Sequence, residues 1–114
     1  MEITGENYHI NYDPATTTVA MEGTLRLRGV AEYEPIVRLL EQVASEEPAQ
    51  INLDLRSLQF LNSSGINVIL KFVIKLRDEG ISDLVVQGTE AIPWQKKSLK
   101  NLQKLMPKAR LEWH

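Results

Sequence analysis

The sequence predicts a single small α/β domain over residues 1–114: a mixed β-sheet of about five strands with three main helices, in the order β-β-α-β-α-β-α-β. Three observations carry that expectation. Two stretches of period-two alternation lie side by side near the N-terminus. Beyond them, apolar spacing switches repeatedly between helical and strand periods, the pattern of parallel crossover units. No internal repeat, low-complexity stretch or linker interrupts the 114 residues, a length that suits one hydrophobic core.

From Asn7 to Asp13, Tyr8, Ile10 and Tyr12 alternate with Asn7, His9 and Asn11, as in a half-buried strand, and Asp13-Pro14 marks a turn. Val19, Met21, Gly23, Leu25 and Leu27 then alternate with Ala20, Glu22, Thr24, Arg26 and Arg28. That is a second strand and the partner for a hairpin, with Gly23 at a bend or bulge. From Glu32 the period lengthens: Tyr33, Ile36, Val37, Leu40 and Val43 form a helical stripe. Glu32 and Glu34 suit the positive end of its dipole, Pro35 is expected in the first turn, and Glu46-Glu47-Pro48 ends it. Ile51, Leu53 and Leu55 against Asn52, Asp54 and Arg56 make a third strand.

A second helix is expected over about Ser64 to Glu79, closed by Gly80. Its polar residues Asn67, Lys71, Lys75 and Asp78 share one narrow stripe, so most of its circumference should be buried. Asp83–Gly88 reads as a short apolar strand. Pro93 to Met106 reads as a third helix with Leu99, Leu102, Leu105 and Met106 inward, stopped by Pro107, and Ala109–Trp113 as an edge strand.

Composition narrows the function classes. Hydrophobic residues make up 43% and charged ones 25%, ordinary for a folded soluble protein. A net charge of −2 gives no pull toward nucleic acid. The chain has no cysteine, which excludes disulfides, thiolate metal sites and thiol catalysis. Two histidines without a carboxylate cluster make no metal site, and no glycine pattern for a nucleotide cofactor is present. No segment reaches the roughly 20 apolar residues of a membrane span, and the N-terminus lacks a signal-peptide pattern, so a cytoplasmic location is expected. Lys96, Lys97, Lys100, Lys104, Lys108 and Arg110 occur with no acid among them. They read first as the solvated face of the third helix and second as a surface for an acidic partner.

The chemistry concentrates at Asn62-Ser63-Ser64-Gly65, where an apolar strand hands over to a helix. Asn and Ser are preferred N-cap residues, and capping alone accounts for their presence. A hydroxyl here is also exposed beside free backbone N–H groups. A phosphate on it would meet the positive end of the helix dipole, a contact worth about 0.3–1 kcal/mol, so the fold should survive the modification. The surface would not be the same, because about −1.5 to −2 charges appear at one spot. A partner that had buried the bare hydroxyl would then face a penalty of about 2–5 kcal/mol.

The stretch "INLDLRSLQFLNSSGINVILKFVIKLRDEG" resembles the central signature of STAS domains, the bacterial anti-sigma factor antagonists and their relatives. That signature is an apolar strand, a Leu-x-Phe-hydrophobic-Asp-Ser-Ser-Gly turn and an apolar helix, and the order of elements agrees from about Asn7 to Trp113. The resemblance implies a divergent stand-alone regulatory member that works by binding and not by catalysis. It implies partner switching in bacterial signal transduction and transcription regulation. The unphosphorylated domain binds an anti-sigma factor that is itself a serine kinase, phosphorylation breaks the complex, and a phosphatase resets it. Carried over by position, the phosphoacceptor is Ser63. The partner-binding residues are Asn62, Ser64 and Gly65 of the turn with Thr24 and Arg26 after Gly23. No cofactor is implied. Two positions depart from the family pattern: Asn62 stands where the family has Asp, and Arg26 replaces the Asp of Gly-x-Leu-Asp. A constitutive scaffold whose Ser63 is never modified is the alternative. A serine hydrolase is a more distant one, since Leu61 stands where a nucleophile elbow needs Gly.

Overall fold

The computed structural model describes all residues 1–114. Its elements are β1 (Glu2–Thr4), β2 (Tyr8–Asp13), β3 (Thr18–Leu25), α1 (Gly29–Ser45), β4 (Gln50–Leu61), α2 (Ser63–Glu79), β5 (Asp83–Gly88), α3 (Pro93–Leu105) and β6 (Arg110–Trp113). The six strands form one sheet in sequential order, antiparallel from β1 to β3 and parallel from β3 to β6. Each parallel step is made through a helix. Because such crossovers keep one hand and the strand order never reverses, the three helices cover the same face. Register rows show this directly. Tyr12, Val19, Leu53, Val86 and Leu111 lie in one row on the helix-covered face, and Asn11, Ala20, Asp54, Gln87 and Glu112 on the open one. A single cluster of 26 buried residues fills the space between the layers.

The helices obey their local signals. Gly80 caps α2 in the left-handed region at φ 65, its N–H bonded to the Leu76 carbonyl. Along α2 the residues Ser63, Asn67, Lys71 and Lys75 are exposed at four-residue intervals, and Gly65, Ile69, Phe72, Val73 and Leu76 are buried. Leu99 and Leu102 of α3 point into the core. No helix is long and apolar enough to cross a membrane.

Four features differ from the sequence expectation. The sheet has a sixth strand, β1, which carries one apolar residue (Ile3) in three and so has no readable period. The strand β3 stops at Leu25, and α1 starts at Gly29, three residues earlier than expected. Glu32 Oε1 reaches back to accept from the Arg28 N–H at 3.1 Å, supporting the earlier start. Pro35 consequently lies inside α1, not in its first turn. The carbonyl it leaves without a donor, that of Ala31, belongs to an exposed residue and can be hydrated. Lastly, β4 runs to Leu61 instead of stopping at Arg56. Two register shifts explain the misreading. Ala20 pairs with Asp54 but Glu22 with Ser57, and Gly23 with Leu58 but Thr24 with Phe60. Each is an extra residue on β4, a bulge that turns Leu55, Leu58 and Leu61 inward at intervals of three.

Those bulges carry β4 beyond the end of its pairing with β5, which stops at Asp54–Gln87. The core is closed there by α3. Gln95, fully buried, donates from Nε2 to the carbonyls of Leu55 (2.7 Å) and Leu58 (3.1 Å) and accepts the Thr89 N–H (2.8 Å). Trp94 Nε1 donates to the Leu58 carbonyl at 3.2 Å. Two side chains thus substitute for the missing strand and satisfy buried backbone acceptors.

Candidate functional site

The turn from β4 into α2 is built around Asn62. Its backbone is extended (φ −78, ψ 175) and its side chain caps the helix, Oδ1 accepting from the Gly65 N–H at 3.0 Å. The same oxygen accepts from the buried Tyr33 hydroxyl of α1 at 2.6 Å, and Nδ2 donates to the Leu27 carbonyl at 2.8 Å. The backbone adds Asn62 N–H to the Leu25 carbonyl (3.1 Å) and Ile66 N–H to the Asn62 carbonyl (2.9 Å). One residue therefore joins the end of β3, the first turns of α1 and the start of α2. Carbonyl and N–H partners fix which end of the amide faces where. An aspartate could serve Gly65 and Tyr33, but it has no N–H for Leu27. Burial pushes the Tyr33 phenol above its ordinary pKa; a hydrogen bond at the Leu27 backbone opposes this and nearby Tyr8 adds to it. Tyr33 therefore stays a neutral donor at physiological pH.

Ser63 follows as the first residue of α2 and is exposed; Ser64 is half-buried. Of the helix's first N–H groups, those of Gly65 and Ile66 are taken by Asn62. Those of Ser63 and Ser64 remain free for an anion attached to the hydroxyl. Neither serine hydroxyl is bonded to a histidine or carboxylate. His9 instead pairs with Thr4 Oγ1 at 3.0 Å, on the far hairpin. Gly65 is buried because the helix start sits tight on the strand. A Cβ there would meet Leu61 and lie 2.6 Å from the Tyr33 hydroxyl.

Pairing of Leu25 with Leu61 brings the end of β3 beside this turn, so Thr24 and Arg26 are neighbours of the Asn62–Gly65 segment despite the distance in sequence. Thr24 lies opposite Phe60, a residue 37% exposed. The Arg26 guanidinium stacks over that ring at 4.5 Å from its centroid and makes no ion pair within the chain. A depression of about 540 Å³ between Arg26, Thr24, Leu27, the β1–β2 loop (Gly5–Asn7) and Tyr8 at the start of β2 adjoins it. Sequence reasoning missed Phe60, Tyr33 and Gln95 as parts of this region. Phe60 falls after the alternation of β4 breaks, Tyr33 reads only as core, and a lone inward Gln gives no signal. On α3, Lys96, Lys97, Lys100 and Lys104 are all exposed with Leu99 and Leu102 buried beneath, as a solvated helix face requires, and Lys108 and Arg110 beyond the helix are exposed as well.

No family model matches the sequence, and no curated protein matches it. Solved structures do share its fold. SiaC from Pseudomonas aeruginosa, crystallised with the diguanylate cyclase SiaD that it activates, matches with a TM-score of 0.76 at 15% identity, over 100% of this chain and 99% of that one. A second structure of SiaC gives 0.75 at 16% identity, over 100% and 98%. An anti-sigma factor antagonist from Mycobacterium paratuberculosis gives 0.66 at 18% identity, over 96% and 90%. Identities this low speak to architecture: the chain shares the fold of SiaC and of the anti-sigma factor antagonist.

Proposed function

We propose that this chain is a regulatory protein-binding module, resembling anti-sigma factor antagonists, whose partner is exchanged when Ser63 is phosphorylated. The observation that carries the reading is the exposure of Ser63 as the first residue of α2, with two unspent N–H groups beside it and both turn-capping groups of Asn62 already engaged. A phosphate fits there without breaking a bond of the fold, yet adds charge to the surface a partner would cover. Ser64, Thr24 and Arg26 border that surface and Asn62 shapes it, whereas Gly65, expected from the sequence to contact the partner, is buried beneath the turn and serves its packing instead. The partner class expected from the resemblance is an anti-sigma factor with serine-kinase activity, reset by a phosphatase, in the cytoplasm.

The fuller likeness to SiaC favours a second identity for the partner: an enzyme that the unmodified domain switches on. Both identities rest on protein binding at the same turn. The test is intact mass after incubation with the cognate kinase and ATP, followed by titration of the partner. A gain of about 80 Da that disappears in Ser63→Ala, with partner affinity lowered about 30- to several-thousand-fold in the phosphoprotein, is expected. A partner that binds phosphorylated and bare protein equally would leave the domain a constitutive scaffold.

A further inference from the structure

The helix layer contains a groove that the proposed switch does not use. It runs between α1 and α2 with a volume of about 490 Å³, in the range of small-molecule sites. From Ser64 at one end to Lys75 at the other it spans about three helical turns. Val37, Leu40, Val68 and Phe72 form its apolar lining, and Val30 at the mouth is 79% exposed. The polar groups on its α2 side are the Ser64 hydroxyl, the Asn67 amide and the Lys71 ammonium, none bonded to another side chain of the protein; Lys75 already pairs with Glu79 at 3.2 Å. Glu41 is the single acid lining the groove, on the α1 side.

We infer that this groove binds a small amphipathic anion, an aliphatic or aromatic carboxylate. Its head would be held by Lys71 with Asn67 and Ser64, and its body would lie along Val37, Leu40, Val68 and Phe72. Charge selects the class. An apolar body is held equally by any such lining, but the free ammonium and the amide and hydroxyl donors beside it match a carboxylate, and Glu41 keeps that head on the α2 wall. A bound head would touch Ser64, the neighbour of Ser63, so occupancy would be felt at the switch. Binding itself does not depend on Ser63 being phosphorylated.

The experiment titrates the ¹⁵N-labelled full chain with sodium decanoate below its micellar range, and in parallel with decyltrimethylammonium, which has the same chain length and the opposite head charge. Saturable amide shifts confined to Gly29–Val30, Val37–Glu41 and Ser64–Lys75 are expected, with the cation at least tenfold weaker. Lys71→Glu, a change at an exposed side chain, should weaken decanoate at least tenfold. Val68→Trp should fill the groove and abolish the shifts; if that variant does not fold, Lys71→Glu and the head-charge comparison decide alone. The absence of saturable shifts, shifts that Lys71→Glu leaves unchanged, or equal binding of the cation would each overturn the inference. So would concentration-dependent shifts of the same amides without decanoate, which would assign the face to a second copy of the chain.

Discussion

Replacing Asn62 by Ala tests how the candidate site is held together. The substitution removes a helix cap, worth about 1 kcal/mol. It also strands the Tyr33 hydroxyl, which is buried and left with only the Leu25 carbonyl at 3.3 Å, for about another 1 kcal/mol. The Leu27 carbonyl loses its donor too, but its residue is half-exposed and water can reach it, so its share is at most about 1 kcal/mol. The expected loss is therefore about 2–3 kcal/mol. With an unfolding entropy of about 2.1 cal/mol/K per residue, that lowers Tm by about 8–13 °C. Asn62→Asp keeps both acceptor contacts and loses only the donor to Leu27, so it should fall between, near 1 kcal/mol. Denaturant unfolding of Asn62→Ala, Tyr33→Phe and the double variant measures the shared bond, expected to couple by about 0.5–1.5 kcal/mol. A Tm for Asn62→Ala within 2 °C of the parent (against the 8–13 °C expected), or strictly additive singles, would refute the clasp.

Other outcomes follow from the same geometry. Gly65→Ala should destabilise by about 1–3 kcal/mol despite alanine's better helix propensity, because the new methyl meets Leu61 and the Tyr33 hydroxyl; thermal melting reads it. Gln95→Leu should cost about 2–3 kcal/mol and raise hydrogen exchange around β4, since the Leu55 carbonyl and Thr89 N–H lose their partners inside the core. For Asp54, burial pushes the carboxyl up, but the side-chain and backbone N–H bonds and the charge of Arg56 outweigh it, with His114 adding, and hold it below its ordinary value. A lowered folded pKa contributes stability above the unfolded value near 3.8 that is lost as pH falls through the folded one. Asp54→Asn should therefore be about 0.5–1 kcal/mol less stable at pH 7. In urea melts the gap should close in acid.

What the sequence determined by itself is the local part: the three helices and five of the six strands, the Gly80 cap, the narrow polar stripe of α2, and the placing of Ser63 where a strand passes into a helix. These follow from spacing within a turn or two, where period and capping chemistry act on neighbours. The tertiary structure decided what depends on distant segments. Leu55, Leu58 and Leu61 look like the end of a strand until β3 and α3 supply partners on either side of the bulges. Pro35 reads as confined to a first turn until the fold places it inside α1, where the carbonyl left without a donor belongs to the exposed Ala31. Asn62 reads as a cap, and only folding brings Tyr33 and Leu27 to it from 29 and 35 residues away. The reason is that a hydrogen-bonding group must be satisfied by whatever lies beside it in space, and that neighbour is set by the packing of layers.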